Sequence, residues 1–321
     1  MSRNSNLFSK SSLPTCFERS VIFAFKVEDY VARIIRKYPL QERMDSSPFL
    51  SSDSYYFLSD CHLDSSDLSN KELEKLTPQS RVYVNGNHAD VILPKLVKAL
   101  EENGMRISTV VVGDSDFAPS MKDLNLLRNL SDRVHVVNLL KSDSSEVVRF
   151  LPLGIESRRY RSAGLLRDFK KIPSFDFSKR TIGVLVAWND ETNPAVRSYA
   201  RESLRKGSEV KEITSRIPAS ALHLMMRRSL FVATPAGNGR DTHRFWESLY
   251  LGALPVITNH EAALDLANWP YLRVDDWHEL AAMSRIKLEN LYMQKIDELR
   301  QFRGKAEAFM KKALDRPILC N

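Results

Sequence analysis

The sequence predicts two doubly wound α/β domains facing one another across a cleft, with a long helix at the C-terminus. Three observations carry this. Short apolar runs alternate with helical patterns through most of the 321 residues. The alternation stops at a basic stretch and then restarts, and the last part of the chain has apolar residues at helical spacing. Strands covered on both faces read as continuous apolar runs, and strand–helix alternation builds parallel sheets. A chain of this length is long for one hydrophobic core and suits two.

In the first series the strand-like runs are YYFLS (55–59), RVYVN (81–85), ISTVVVG (107–113), RVHVVNL (133–139) and VVRFLPLG (147–154). Helical patterns lie between them near 69–77, 90–103 and 120–130. Residues 157–180 then carry eight Lys or Arg and two Asp with little apolar periodicity. This reads as a linker, although a charged loop inside one domain would have the same composition. The domains are therefore 1–156 and 181–321. The second series runs TIGVLVAW (181–188), helix 194–206, a short EVKEIT strand, helix 218–228, SLFVAT (229–234), helix 241–251 and ALPVIT (253–258). Leu288, Leu291, Ile296, Leu299 and Phe302 mark a final helix over about 285–314. In sheets of this class, ligands bind outside the carboxyl ends of the strands, here between the two domains.

Composition excludes several classes. Hydrophobic residues make up 43% and charged residues 27%, the balance of a soluble globular protein. No apolar run approaches the roughly 20 residues that span a bilayer. The N-terminal MSRNSNLFSKSSLPT has basic residues but no apolar region behind them, so no secretory signal is expected. Cys16, Cys61 and Cys320 are far apart and form neither a disulfide framework nor a zinc motif. A reducing cytoplasm is the expected setting. The net charge of +7 tilts toward anionic partners: nucleotides, anionic glycans, a membrane surface or nucleic acid.

TPAGNGRDTHRFWESLYLGALPVIT (234–258) concentrates the chemistry. A buried strand is broken by Pro235, Gly237 and Gly239, with Asn238 tolerant of left-handed backbone. A glycine turn entering a helix lets backbone amides approach a ligand, and the helix N-terminus favours phosphate. With a helix over 241–251, Arg240, His243, Arg244 and Glu247 fall on one stripe, and Phe245, Trp246 and Leu249 on an adjacent apolar one. Arginine suits a diphosphate because its planar fork donates bidentately. A glutamate one to two turns on can accept from two vicinal hydroxyls, as a ribose presents. The order phosphate, then ribose, is that of a nucleotide sugar. A solvated face with an Arg244–Glu247 pair is the alternative.

This stretch resembles the donor-site segment of exostosin-type glycosyltransferases and of the ribitol xylosyltransferase C-terminal domain. The pattern is a strand, P-x-G, then R-x-x-E-[AS]-L-x-x-G-x-x-P-V. Pro235, Gly237, Arg244, Glu247, Ser248, Leu249, Gly252, Pro255 and Val256 match it. The resemblance implies a GT-B architecture of two Rossmann-like domains and places the nucleotide ribose on Glu247. Many retaining GT-B enzymes carry a second glutamate eight residues earlier, where this chain has Gly239, which argues against that retaining subtype. A second segment, GVLVAWNDETNPAVRSYARESL, is similar to the exostosin N-x-x-R helix start through Asn193, Pro194 and Arg197. Physically it is another strand-to-helix turn, with Thr192 or Asn193 as cap and Pro194 at the first helical position. Asn193 as a cap only, and Arg197 as a structural partner, remain open.

The resemblance thus implies a donor site of Asn189, Thr192, Asn193, Arg197, Gly237, Asn238, Arg240, Asp241, Arg244 and Glu247. It implies no metal and no cofactor beyond the donor itself, with a UDP-sugar favoured. Residues 181–321 become the donor domain and 1–156 the acceptor side. A surface glycan or lipid-linked saccharide is the expected acceptor, reached from the cytoplasm, with peripheral membrane contact compatible. Modified DNA is an alternative acceptor, but no aromatic-basic interleaving or recognition helix supports it. A non-catalytic nucleotide-sugar-binding module is a further alternative.

The first half also contains D-x-H (Asp60, His62), G-N-H (Gly86–His88) and G-D-S-D (Gly113–Asp116), which resemble metallophosphoesterase motifs. That family runs DxH, GDxxD, GNH, GHxH. Here the Gly-Asp follows the GNH and no Gly-His exists. These loops are instead expected on the cleft rim, at the carboxyl ends of strands. An inverting transfer needs a base for the acceptor hydroxyl, and the candidates are Asp116, His62 and His88 in that order. Taken singly, each of them is accounted for more simply as a helix cap or by bonding to the backbone.

Overall fold

The computed structural model describes residues 43–65, 70–158, 166–215 and 217–314. Cys16, Cys320 and residues 159–165 of the basic stretch lie outside them, and Cys61 is a free thiol.

Two parallel sheets form the frame. The first comprises β1 (Cys61–Leu63), β2 (Arg81–Asn85), β3 (Ile107–Gly113), β4 (Ser131–Val136) and β5 (Val148–Phe150), paired in sequence order. The second comprises β6 (Ile182–Val186), β7 (Val210–Glu212), β8 (Ser229–Ala233), β9 (Leu254–Ile257) and β10 (Leu272–Arg273). Its spatial order is β10-β9-β8-β6-β7. In the second sheet the chain steps from β6 to β7 on one side and then returns to β8 on the other. This reversal opens a crevice at the carboxyl ends of β6 and β8, the place where such sheets bind ligands. The described part of the first sheet has no such reversal.

The helices around the first sheet are α1 (Ser52–Phe57), α2 (Asn70–Leu73), α3 (Ala89–Glu102) and α4 (Met121–Leu130). Next come α5 (Leu166–Lys170), α6 (Pro194–Leu204), α7 (Ala219–Arg227), α8 (His243–Tyr250), α9 (Trp277–Ala281) and α10 (Arg285–Leu314). Gly252 follows α8 at φ +78, the left-handed position at which a helix commonly ends, and its carbonyl accepts from the Tyr292 hydroxyl at 2.8 Å. No helix among the described residues is long and apolar enough to cross a membrane.

One expected strand is a helix. YYFLS lies in and just after α1, because the Ser51 hydroxyl accepts from the Ser54 amide and so caps a helix there. A five-residue apolar run fits a buried helix as well as a strand. The strand itself begins at Cys61. Asp60 therefore precedes β1 and His62 lies inside it, not at its carboxyl end.

The basic stretch is partly buried. Within α5, Phe169 is fully buried and packs tilted against Phe49 and His223 and edge-on against Tyr250, while Asp168 meets His223 Nδ1 at 2.9 Å. Arg180 is also fully buried and donates to the carbonyls of Ser229 and Ser174 at 2.6 and 2.7 Å. The stretch thus carries some of the packing between the two halves. Tyr250 is the other centre of that packing. Its hydroxyl accepts from the Leu50 amide at 2.8 Å, and its ring meets Phe49 edge-on at 5.1 Å.

In α10, Leu288, Tyr292, Ile296, Leu299, Phe302, Ala306 and Met310 are buried at steps of three and four, one apolar stripe. The helix starts against the second sheet and ends at the first. There Arg81 and Arg133, on β2 and β4, donate to the carbonyls of Leu314 and Lys312 at 2.8 and 3.0 Å.

Candidate functional site

The crevice of the second sheet faces the first domain across a cleft of about 430 Å³. Three segments of the second domain build its floor: the loop after β6, the first turn of α6, and the turn from β8 into α8.

The loop after β6 is held in place. Arg201 donates to Asp190, Glu212 and the Trp188 carbonyl and lies over the Trp188 ring at 5.3 Å. Asn189 accepts from the Glu191 amide, and Asn189 and Thr192 line the cleft. Asn193 caps α6 through the Val196 amide and donates to the Gly237 carbonyl at 2.8 Å. It is absent from the cleft wall, so its role is the cap and the tether. Arg197 donates to the carbonyls of Ala236 and Asn189 at 3.0 and 2.9 Å while lining the cleft. Burial beside the Arg244 charge lowers its affinity for the proton.

The glycine turn differs from expectation in two ways. No residue from 235 to 240 has positive φ. The glycines are needed for close approach instead. A Cβ on Gly237 would lie 2.8 Å from Arg197 Nη2, and one on Gly239 would lie 2.6 Å from the Asp116 carbonyl oxygen. In addition, part of the turn's amides are already used. The Ala236 amide donates to Glu261 Oε1, the Gly237 amide to the Gly239 carbonyl, and the Asp241 amide to Asn138 Oδ1. The buried Glu261 also accepts from the Thr258 amide and hydroxyl, so it anchors the turn from behind.

The polar stripe of α8 is shorter than expected. The helix begins at His243, so Arg240 stands ahead of it, outside the cleft, with the His260 carbonyl 3.5 Å away. Thr242 is the N-cap but makes no side-chain cap bond. Arg244 donates to Glu247 Oε2 at 3.2 Å. The Glu247 side chain is only 4% exposed, so this pair is not on a solvated face. Phe245, Trp246 and Leu249 are buried in the core, as their stripe required.

The first domain closes the other side. Asp116 is exposed in the cleft, and its Oδ2 accepts from Asn238 at 3.0 Å. His62 is not there. Its ring stacks on Tyr56 at 3.8 Å, its Nε2 bonds the Tyr56 and Ser59 carbonyls, and it belongs to a separate pocket with Asp60 and Cys61. His88 ends the turn after β2 and does not line the cleft, although Asn87 beside it does. The D-x-H and G-D-S-D loops thus open on different pockets. Among the described residues no three His, Cys, Asp or Glu side chains are grouped to hold a metal ion.

Asp241 is an interdomain pin. Buried at the cleft base, it accepts from the Leu153 amide at 2.8 Å and from Trp246 Nε1 at 2.7 Å. Burial pushes its carboxyl up to about 7, against those two bonds, which favour the charge. A carboxyl raised in the folded state keeps its proton where the unfolded chain, at 3.8, has released it. Its contribution to stability therefore declines as pH rises from about 4 to about 7 and is flat above that. The Tm of the protein minus that of Asp241→Asn is expected to be larger at about pH 5 than at about pH 8. An equal difference at both would mean a carboxylate ionised throughout.

Sequence reasoning missed Glu156 and gave His243 no role. Both line the cleft, and they meet across the domains at 3.3 Å. The only local hint was the turn glycine of LPLGIE ahead of Glu156.

No family model and no curated protein matches this chain. Among solved structures it is similar to a trehalose-6-phosphate synthase from E. coli bound with UDP-2-fluoro glucose. The identity is 13% over 78% of this chain and 76% of that one, with a TM-score of 0.46. A UDP-forming α,α-trehalose-phosphate synthase from Burkholderia vietnamiensis is similar at 13% identity over 78% and 73% of the two chains, with a TM-score of 0.43. An enzyme of the same description from Burkholderia xenovorans, in complex with glucose-6-phosphate, gives 13%, 77%, 75% and 0.40.

Proposed function

We propose that the cleft binds a nucleoside-diphosphate sugar and that the protein is a glycosyltransferase passing the sugar to a hydroxyl on an acceptor. The observation that supports this most is the Arg244–Glu247 pair, joined at 3.2 Å with Glu247 nearly buried, at the start of a helix on the sheet's reversal point. A solvated ion pair would need no such burial, and a buried carboxylate must be held by a partner. Arg244 and Arg197 supply positive charge for the diphosphate, as does the N-terminus of α8, where Thr242 makes no side-chain cap bond. Glu247 supplies a carboxylate for the ribose hydroxyls. Asn189, Thr192, Gly237 and Asn238 complete the wall, and Asp241 serves as the pin beneath it.

In this reading residues 181–321 carry the donor and 1–156 the acceptor side, with 157–180 between them. A UDP-sugar is the favoured donor, hexosyl or pentosyl, and a surface glycan or lipid-linked saccharide the favoured acceptor. The arginines take the part of a cation at the leaving diphosphate, as preorganised charge does in water-poor sites. Donor turnover is therefore expected to survive EDTA. Two tightly bound metal ions, lost on chelation together with phosphatase activity, would overturn the reading.

The direct test is a thermal-shift screen against UDP-, GDP- and ADP-sugars. A ligand at about 100 times its Kd stabilises by about 2.7 kcal/mol, which raises Tm measurably. One nucleotide class should stand out. No shift with any nucleotide at millimolar concentration would end the proposal.

A further inference from the structure

We propose that Glu156 is the catalytic base that deprotonates the acceptor hydroxyl, and that His243 is a positioning residue holding it from the opposite domain. This rests on the nucleotide-sugar reading above and specifies its chemistry.

The geometry builds from the loop after β5. The Leu153 amide donates to Asp241, the Gly154 carbonyl accepts from His243 Nδ1 at 2.8 Å, and the Ile155 amide donates to the Leu50 carbonyl at 2.8 Å. Three successive residues are thus fixed, and the fourth, Glu156, is presented to the cleft. Because Gly154 offers only a carbonyl, Nδ1 of His243 carries a proton, and Nε2 is the atom turned toward Glu156 Oε1 at 3.3 Å. That same Oε1 accepts from the Ser157 amide at 3.1 Å. The Ser157 hydrogen bond and the His243 ion-pair contact therefore fall on one oxygen. Oε2 takes no hydrogen bond from any described residue, and it is the oxygen left for a substrate proton.

The two candidate carboxylates differ in setting. Asp116 is exposed and its Oδ2 is engaged by Asn238. The Glu156 side chain is 25% exposed, and burial raises its proton affinity, which His243 opposes and Glu247 and Asp114 reinforce. A base strengthened by partial drying suits a hydroxyl that is itself a weak acid.

The step balances within the cleft. Oε2 takes the hydroxyl proton as the hydroxyl oxygen forms a bond to the anomeric carbon. The bond from that carbon to the diphosphate oxygen breaks, and its electron pair leaves with the diphosphate, held by Arg197 and Arg244. With no second substrate, water takes the acceptor's place, and slow donor hydrolysis reports the same step.

The test uses the full chain and the UDP-sugar, or other nucleotide sugar, that binds best by calorimetry. Nucleotide release to water is followed in the wild type, Glu156→Gln, Asp116→Asn and His243→Asn. Glu156→Gln is expected to lose about 10²- to 10⁴-fold in turnover, with nucleotide Kd changed less than about threefold. His243→Asn removes the positive partner and leaves Glu247 and Asp114 facing Glu156, so the acid limb of kcat/KM should move to higher pH. Unaltered turnover in Glu156→Gln, or a larger loss in Asp116→Asn, overturns the assignment. If the glutamine variant does not fold, the limb decides, and an unmoved limb in His243→Asn overturns it. Nucleotide binding without turnover in the wild type removes the base but leaves the binding site. No binding at all removes both.

Discussion

Leu249→Ala is expected to lower the unfolding free energy by about 2–5 kcal/mol and to leave the choice among nucleotides unchanged. Leu249 is 1% exposed on the apolar stripe of α8, beside Phe245 and Trp246, and none of the three lines the cleft. Truncation removes buried methyl groups and leaves a cavity that close-packed neighbours fill only in part. Urea unfolding with the slope held common to both proteins measures the loss. A change in nucleotide preference in the folded variant would mean that the packing stripe also shapes the donor site.

Arg244→Ala should weaken a nucleoside diphosphate by about 1.5–3 kcal/mol, roughly 10- to 150-fold, and the free nucleoside far less. The substitution also leaves Glu247 without its partner at 3.2 Å, so some loss of stability accompanies it. Glu247→Ala should weaken UDP and uridine by a similar factor, because the ribose is common to both. Calorimetry with the pair of ligands on each variant separates the roles. Intact nucleotide affinity in both folded variants would reduce the pair to a structural one, and the donor-site assignment would fall with it.

Legibility followed the range of the interactions. RVYVN and ISTVVVG appear as β2 and β3 with the expected bounds, because central parallel strands are apolar throughout and end at turn residues. The last helix spans 285–314 as expected, because its stripe repeats over many turns. YYFLS failed because the deciding feature was a serine cap and not the apolar run. β10 and α9 are too short to leave a periodic trace. In the site, Arg244 and Glu247 were readable because one helix turn sets their spacing. Arg240 was misplaced by the same logic, since the helix starts three residues after it. Glu156 was invisible, because its significance lies in a contact with a residue of the other domain. The glycines were read for the approach of backbone amides to a ligand, whereas their crowding against Arg197 and Asp116 is a tertiary demand that leaves no local trace.

The returning helix α10 changes the kinematics of the molecule. At 30 residues it is about 45 Å long. It sets out from the second sheet and is fastened to the first through Arg81 and Arg133. The strut therefore adds a far junction to those already made by the 157–180 segment and, beneath the cleft, by Asp241, His243 and Tyr250. Contacts at the cleft base and at the distal ends of the first sheet lie on different sides of the molecule, so the halves are braced against rolling as well as parting.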